Sequence, residues 1–226
     1  MILNANSSTR IWVIGAGRFG RMAVARLKPL HPDARLTVVD RDFEKCSRIK
    51  PASCDPVCMD GIDFLSACLS QKNAPHWIIP AVPVHVAFLW VRERLSSDFH
   101  FRSEAVPDFI RREIPHPMEG KDGEIYMSVA DFICPDDCPE PRKICTSTRK
   151  PRLFSLFEKL EELGGPHFVS VVIRSRQLAP GVGGFTPRVL ADALEKVRNA
   201  GRPVLFSSAC RCHGVMNAFS LSGRRA

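Results

Sequence analysis

The sequence predicts an α/β protein: a doubly wound parallel sheet followed by a second α/β unit with cysteine-rich loops. Three observations lead there. Short apolar runs alternate with amphipathic stretches along the chain. A glycine-rich turn joins the first apolar run to the first amphipathic stretch. Five of the nine cysteines fall in segments that follow predicted strands of the second half.

The elements follow in order. "RIWVIG" reads as a buried strand, residues 11–15. "GAGRFG" places Gly15, Gly17 and Gly20 in G-x-G-x-x-G spacing, with Arg18 and Phe19 inside the turn. "RMAVARLKPL" has helical apolar spacing and ends near Pro29. "ARLTVVD" is a second strand ending at Asp40, 20 residues past Gly20, with Arg41 next. Each piece has a physical role in holding a dinucleotide. Gly15 permits the tight turn, Gly17 lets the backbone approach a pyrophosphate, and Gly20 lets helix and strand pack closely. The helix start offers N–H groups and partial positive charge to phosphates. Asp40 would accept from ribose hydroxyls, which favours NAD(H), whereas Arg41 could pair with a 2′-phosphate. The alternative is a strand–turn–helix of the same plan that has lost its ligand.

Three further units fit the plan. "CDPVCMDGIDFLSACL" gives a short strand, a turn and a helix. Strand 76–80 leads through Pro80 and Pro83 to a helix ending at Leu95, and "DFHFRSEAV" gives a fifth strand. His85 stands where a proton-transfer group could face a nicotinamide, or is a surface residue at a helix start. Cys54 and Cys58 flank a predicted strand, which suits core thiols better than ligands.

The stretch "VIGAGRFGR…VVDRD", with "VCMDGID" after it, makes residues 10–105 resemble the NAD-binding domain of the regulators of potassium conductance (TrkA-N type). The resemblance implies a Rossmann domain that binds NAD(H) through Gly15, Gly17, Gly20 and Asp40. It covers less than half of the chain.

Residues 107–123 are rich in proline and charge and read as a linker between a domain at 1–106 and a second at 124–226. "EIYMSVADFI" alternates like a strand. "CPDDCPEPRKIC" then supplies Cys134, Cys138 and Cys145. A helix over 152–163 carries a core stripe of Leu153, Leu156, Phe157, Leu160 and Leu163. "HFVSVVIRS" is a strand, and "QLAPGVGGF" is a glycine-rich loop, either a mobile connection or an anion nest with Arg174, Arg176 and Arg188. Thr186 and Pro187 suit the start of the next helix. "RPVLFSSA" is the last strand, and "CRCHG" adds Cys210, Cys212 and His213.

If the strands of this half run parallel, the loops after them gather at one edge of the sheet. Cys134, Cys138, Cys145, Cys210, Cys212 and His213 would then converge as ligands of a metal centre, an iron–sulfur cluster or zinc. Arg142, Lys143, Arg149 and Arg211 would offset thiolate charge. Asp136 and Asp137 read as turn residues rather than ligands.

Bulk properties narrow the function. The chain has 226 residues and a formal charge of +8, but its basic residues are scattered and it holds a single tyrosine, so nucleic acid is not an expected partner. No apolar run reaches the roughly 18–20 residues of a membrane span, so no membrane insertion is expected. The polar "MILNANSSTR" lacks a signal-peptide plan, and a cytoplasmic location is expected. Nine cysteines with uneven spacing do not form a disulfide framework. Three functions remain. One is an NAD(H)-binding redox protein coupled to a cysteine-ligated metal centre. The second is a non-catalytic NAD(H)- or redox-sensing module of a transporter or enzyme complex. The third is a zinc-containing dehydrogenase with His85 as acid or base. A protein partner and a homo-oligomer are left open.

Overall fold

The computed structural model describes residues 9–49, 54–70 and 74–224. The elements run β1 (Arg10–Ile14), α1 (Arg18–Leu30), β2 (Arg35–Asp40), α2 (Phe43–Ser47), β3 (Asp55–Cys58), α3 (Gly61–Cys68), β4 (Trp77–Pro80), α4 (Val86–Leu95), β5 (Phe99–Glu104) and α5 (Asp108–Glu113). They continue with β6 (Met118–Glu119), β7 (Ile125–Ser128), α6 (Leu156–Glu162), β8 (Val169–Arg174), β9 (Arg176–Ala179), β10 (Val182–Gly184), α7 (Pro187–Arg198), β11 (Val204–Ala209) and β12 (His213–Arg224). The mixed α/β class is the one the sequence predicts.

The chain divides into two units. The first comprises Met1–Val86 and Arg176–Arg188, and the second Ala87–Ser175 and Val189–Ala226. The expected boundary at 106 therefore moves to 86, and the first unit is discontinuous in sequence.

The first unit is built on a four-stranded parallel sheet of order β3-β2-β1-β4. β1 has neighbours on both edges, which is why "RIWVI" is apolar almost throughout. The strand order reverses between β1 and β4, so a switch point opens at their carboxyl ends. The glycine-rich 177–185 stretch is ordered rather than a mobile connection. It forms the β9–β10 hairpin, turning at Gly181 (φ 67°). Phe185 exchanges two backbone hydrogen bonds with Ile78 of β4 (2.8 and 3.0 Å), so the hairpin closes that edge. A Cβ on Gly184 would lie 2.7 Å from the Ile78 carbonyl oxygen, which explains that glycine sterically. Ala179 and Val182 join α1, β1 and β2 in one apolar core.

The second unit holds a six-stranded mixed sheet of order β6-β7-β12-β11-β8, with β5 also on β12. Four expectations change here. β5 pairs antiparallel with β12 rather than extending the first sheet. Its burial pattern is half-exposed, unlike a strand buried on both faces of a parallel sheet. The expected linker carries α5 and β6, and its Ile110 and Ile114 are buried in the core of the second unit with Leu156, Leu160 and Met216. β12 was not expected at all. It is the longest strand and has partners on both edges. α6 begins at Leu156, so only Leu156, Phe157 and Leu160 of the expected stripe are buried, while Leu153 is 92% exposed.

Candidate functional site

The β1–α1 turn lies at the switch point. Gly15 sits at φ 113°, and a Cβ there would fall 2.6 Å from the Ala81 carbonyl oxygen, on the chain leaving β4. A Cβ on Gly20 would fall 1.8 Å from the Gly15 carbonyl oxygen. Gly17 differs from both: a Cβ there would meet nothing within 4 Å. Two glycines are thus required by the fold, and the third stands beside open space. α1 starts without a side-chain cap and without an acid in its first turn. Arg18 and Phe19 are exposed, the guanidinium 5.5 Å from the ring centroid.

Asp40 closes the turn from β2. Its Oδ2 accepts the Ala16 N–H at 2.8 Å and its Oδ1 accepts the Asp42 N–H at 3.0 Å. Arg41 is exposed beside it. Two thiols bond the backbone of this corner, Cys46 buried and Cys58 exposed, a feature the sequence alone did not reveal. Cys46 donates to the Asp40 carbonyl at 3.3 Å and Cys58 to the Arg41 carbonyl at 3.7 Å. Burial, against a smaller hydrogen-bond effect, pushes the Cys46 thiol above its ordinary value. His85 is buried, not a surface residue. Cys54 is buried in the core of the first unit.

The second group lies at one edge of the second sheet. β7 and β11 both run antiparallel to β12, and β11 runs parallel to β8. β7, β8 and β11 therefore point the same way and end at the same edge. The Val129 N–H donates to the Cys212 carbonyl at 2.7 Å, and the Leu156 N–H to the Arg211 carbonyl at 3.0 Å. The segment between them carries Cys134, Cys138 and Cys145. The Cys138 N–H donates to the Pro135 carbonyl at 3.1 Å, closing a turn through Asp136 and Asp137. Cys138 Sγ is 3.9 Å from Thr146 Oγ1. Cys145 Sγ is served by the backbone N–H groups of Thr148 and Ser147 and by the Thr148 hydroxyl, which hold its thiol below the ordinary value. Burial first, then the charges of Cys138, Cys212 and Cys145, raise the Cys134 thiol. Cys210 Sγ accepts the N–H groups of Cys212 (3.4 Å) and His213 (3.3 Å), while burial pushes its thiol up to about 12. His213 Nδ1 is 4.0 Å from that sulfur, and burial lowers the imidazole below its ordinary value.

Arg152, which carried no signal in the sequence, donates to Cys212 Sγ. Of the expected counter-charges, Arg211 instead bonds the Ser155 hydroxyl at 2.8 Å. Among the described residues, no group of three or more His, Cys, Asp or Glu side chains is arranged to hold a metal ion. The thiols are gathered without converging on one point.

A family described as "Uncharacterized protein, C-terminal domain" (AF_1314_C) matches residues 87–222. The chain belongs to this family. The matched region starts where the second unit starts. A protein of Archaeoglobus fulgidus described as "Uncharacterized protein" is 26% identical over 221 residues, covering 91% of this chain and 97% of that one. Among solved structures, a myo-inositol dehydrogenase from Corynebacterium glutamicum matches with a TM-score of 0.30 and 20% identity. That match covers 39% of this chain and spans 25% of the dehydrogenase. No helix among the described residues is long and apolar enough to cross a membrane.

Proposed function

We propose that this chain is an NAD(H)-binding redox protein. The dinucleotide binds at the β1–α1 turn, and the cysteine-rich loops of the second unit hold a metal centre as redox partner. The observation that carries the reading is the unequal room at the three glycines. Gly15 and Gly20 are fixed by packing, whereas Gly17 faces open space at the uncapped start of α1. A pyrophosphate would lie there on the helix N–H groups, with no acid in the first turn of α1 itself. Asp40 stands at the end of β2, and a carboxylate there accepts from ribose hydroxyls and repels a 2′-phosphate. The cofactor would supply hydride chemistry, while the chain orients it and sets its surroundings. A hydride carries two electrons, so an iron–sulfur partner requires a two-electron acceptor between them, such as a flavin or a substrate.

The test is direct. NADH and NADPH are titrated against the chain by fluorescence, and metal and sulfide are measured on protein purified without oxygen. The reading predicts saturable binding with NADH preferred and, where iron is present, bleaching of the visible absorbance by NADH once a flavin is added as the two-electron acceptor. Lack of dinucleotide binding overturns it. The sensing reading is supported by the TrkA-N resemblance of residues 10–105. It predicts binding without turnover of NADH by an artificial acceptor.

A further inference from the structure

We propose that the groove between α5 and α6 docks a basic amphipathic helix of a partner protein. Apolar residues of that helix seat against Phe109, Leu153 and Phe154, and its lysines or arginines reach Glu158 and Glu162. Nothing in this surface depends on the nucleotide or metal reading above.

The groove lies wholly within the second unit and has a volume of about 650 Å³. α5 contributes Phe109 and Ile110, and α6 contributes Glu158 and Glu162. Leu153 and Phe154, on the segment entering α6, complete it. The floor belongs to the core, where Ile110 is buried with Leu156 and Leu160. The lip does not: Phe109 is 54% exposed, Phe154 37% and Leu153 92%. Single exposed apolar residues are ordinary, but three large ones around one groove mark an interaction site. Phe109 also packs on Phe168, with ring centroids 6.4 Å apart, so its ring is supported where it stands.

The charges at the lip say what the occupant carries. Glu113, Glu158 and Glu162 line the groove with one cation, Lys159. Lys159 is already engaged, its Nζ 3.3 Å from Glu113 Oε2 and 5.5 Å from the Phe154 ring centroid. Glu158 and Glu162 stand one helical turn apart and have no ion-pair partner among the described residues. Folding does not account for them. Like charges four residues apart weaken a helix, and Glu162 in the last turn of α6 opposes the helix dipole. The acids are set on a chain whose formal charge is +8. Cations of a partner would relieve both costs. Lys159 displays the chemistry that suits this lip: an ammonium on an apolar stem, between an aromatic ring and a carboxylate.

Shape selects a helix as the occupant. α5 has six residues and α6 seven, so the walls run roughly 9–11 Å, or about two turns of a third helix. Apolar residues at i, i+3 or i+4, and i+7 of that helix meet the floor, and basic residues flank them. Two copies of this chain, face to face, would set the same three glutamates and one lysine against each other. Anionic lipid or nucleic acid would meet the same acids.

The probe is a fluorescein-labelled synthetic helix of leucine and lysine, with its leucines along one face. It is titrated against the full chain by anisotropy at physiological salt. A second probe carries glutamate in place of every lysine. The lysine helix should bind saturably and the glutamate helix should not. Glu158→Lys/Glu162→Lys should weaken the lysine helix at least about tenfold and bind the glutamate helix in its place, a gain that misfolding cannot produce. Asp33→Lys/Glu93→Lys makes the same change of net charge at two other exposed acids and should change affinity less than about twofold. Leu153→Ser should weaken binding about tenfold with thermal unfolding unmoved, because Leu153 is exposed in the free chain. No saturable binding of the lysine helix, equal loss in the two charge-reversed variants, or unchanged affinity in Leu153→Ser each overturns the docking site. Sedimentation of the chain alone completes the test. A concentration-dependent dimer abolished by Leu153→Ser makes a second copy the occupant and overturns the partner helix.

Discussion

Replacing Gly17 with alanine separates the folding role of the glycine turn from its binding role. The Gly17 backbone lies at φ −69° and ψ −164°, an extended conformation open to any residue. Its added methyl meets nothing within 4 Å. Stability should therefore change by no more than about 1 kcal/mol, with alanine favoured through the unfolded chain. For a chain of this size that is a shift of roughly 2–4 °C. The same methyl occupies the space over which a pyrophosphate would pass. Loss of one charge-assisted hydrogen bond to phosphate costs about 1.5–3 kcal/mol, or roughly 10- to 100-fold in affinity. Gly20→Ala is the contrast. Its methyl would sit 1.8 Å from the Gly15 carbonyl oxygen, so backbone must move apart. It should lose about 3 kcal/mol or more of stability. NADH binding by fluorescence, together with thermal unfolding, reads both variants. If Gly17→Ala folds normally and binds NADH within about twofold of the parent, the pyrophosphate does not pass over Gly17 and the assignment fails.

Asp40→Ala removes the acceptor of two backbone N–H groups, so the first unit should lose about 2 kcal/mol in urea unfolding. NADH affinity should fall more than NADPH affinity, and unchanged selectivity would remove Asp40 from the ribose. Gly184→Ala places a methyl 2.7 Å from the Ile78 carbonyl oxygen. Amide exchange at Ile78 and Phe185 should then accelerate at least about tenfold for a loss near 1.4 kcal/mol; unchanged exchange would show that the hairpin tolerates the crowding. Burial, then the neighbouring Asp55 charge, raises the Cys54 thiol above its ordinary 9.0. The folded chain keeps a proton that the unfolded chain releases, so this stability is full below pH 9.0 and is lost as pH rises toward the raised value. Urea midpoints taken across that range should fall less in Cys54→Ala than in the parent.

Local physics made much of this fold legible. The β1–α1–β2 run combines apolar periodicity, three glycines and an acid at the next strand end, all within 31 residues from Arg10 to Asp40. β8, α7 and β11 were equally clear, because each carries its own apolar pattern. What stayed hidden depends on distant partners. "HGVMNAFSLSGR" mixes serine and asparagine with apolar residues, so β12 has no clean period. Its order comes from pairing on both edges, with β11 on one side and β5 and β7 on the other. The 177–185 glycines looked like a ligand loop, but Gly184 is set by the approach of Ile78, about a hundred residues away in sequence. No local rule assigns a hairpin at 176–184 to a unit that otherwise ends at Val86.

The unexpected strand also bears on the cysteines. A purely parallel second sheet would bring the loops after β7 and β11 to one edge as two separate excursions. β12 instead starts at His213, four residues after β11 ends at Ala209, so "CRCH" belongs to a hairpin connection. The Cys210 N–H donates to the His213 carbonyl at 2.9 Å and closes that turn. β12 then runs beside β7, with His213 opposite Ser128. The chain leaving β7 is thereby delivered onto Cys212 itself, through the Val129 hydrogen bond. Parallel direction put the cysteine segments at the same edge, and an antiparallel strand between them brought them into contact.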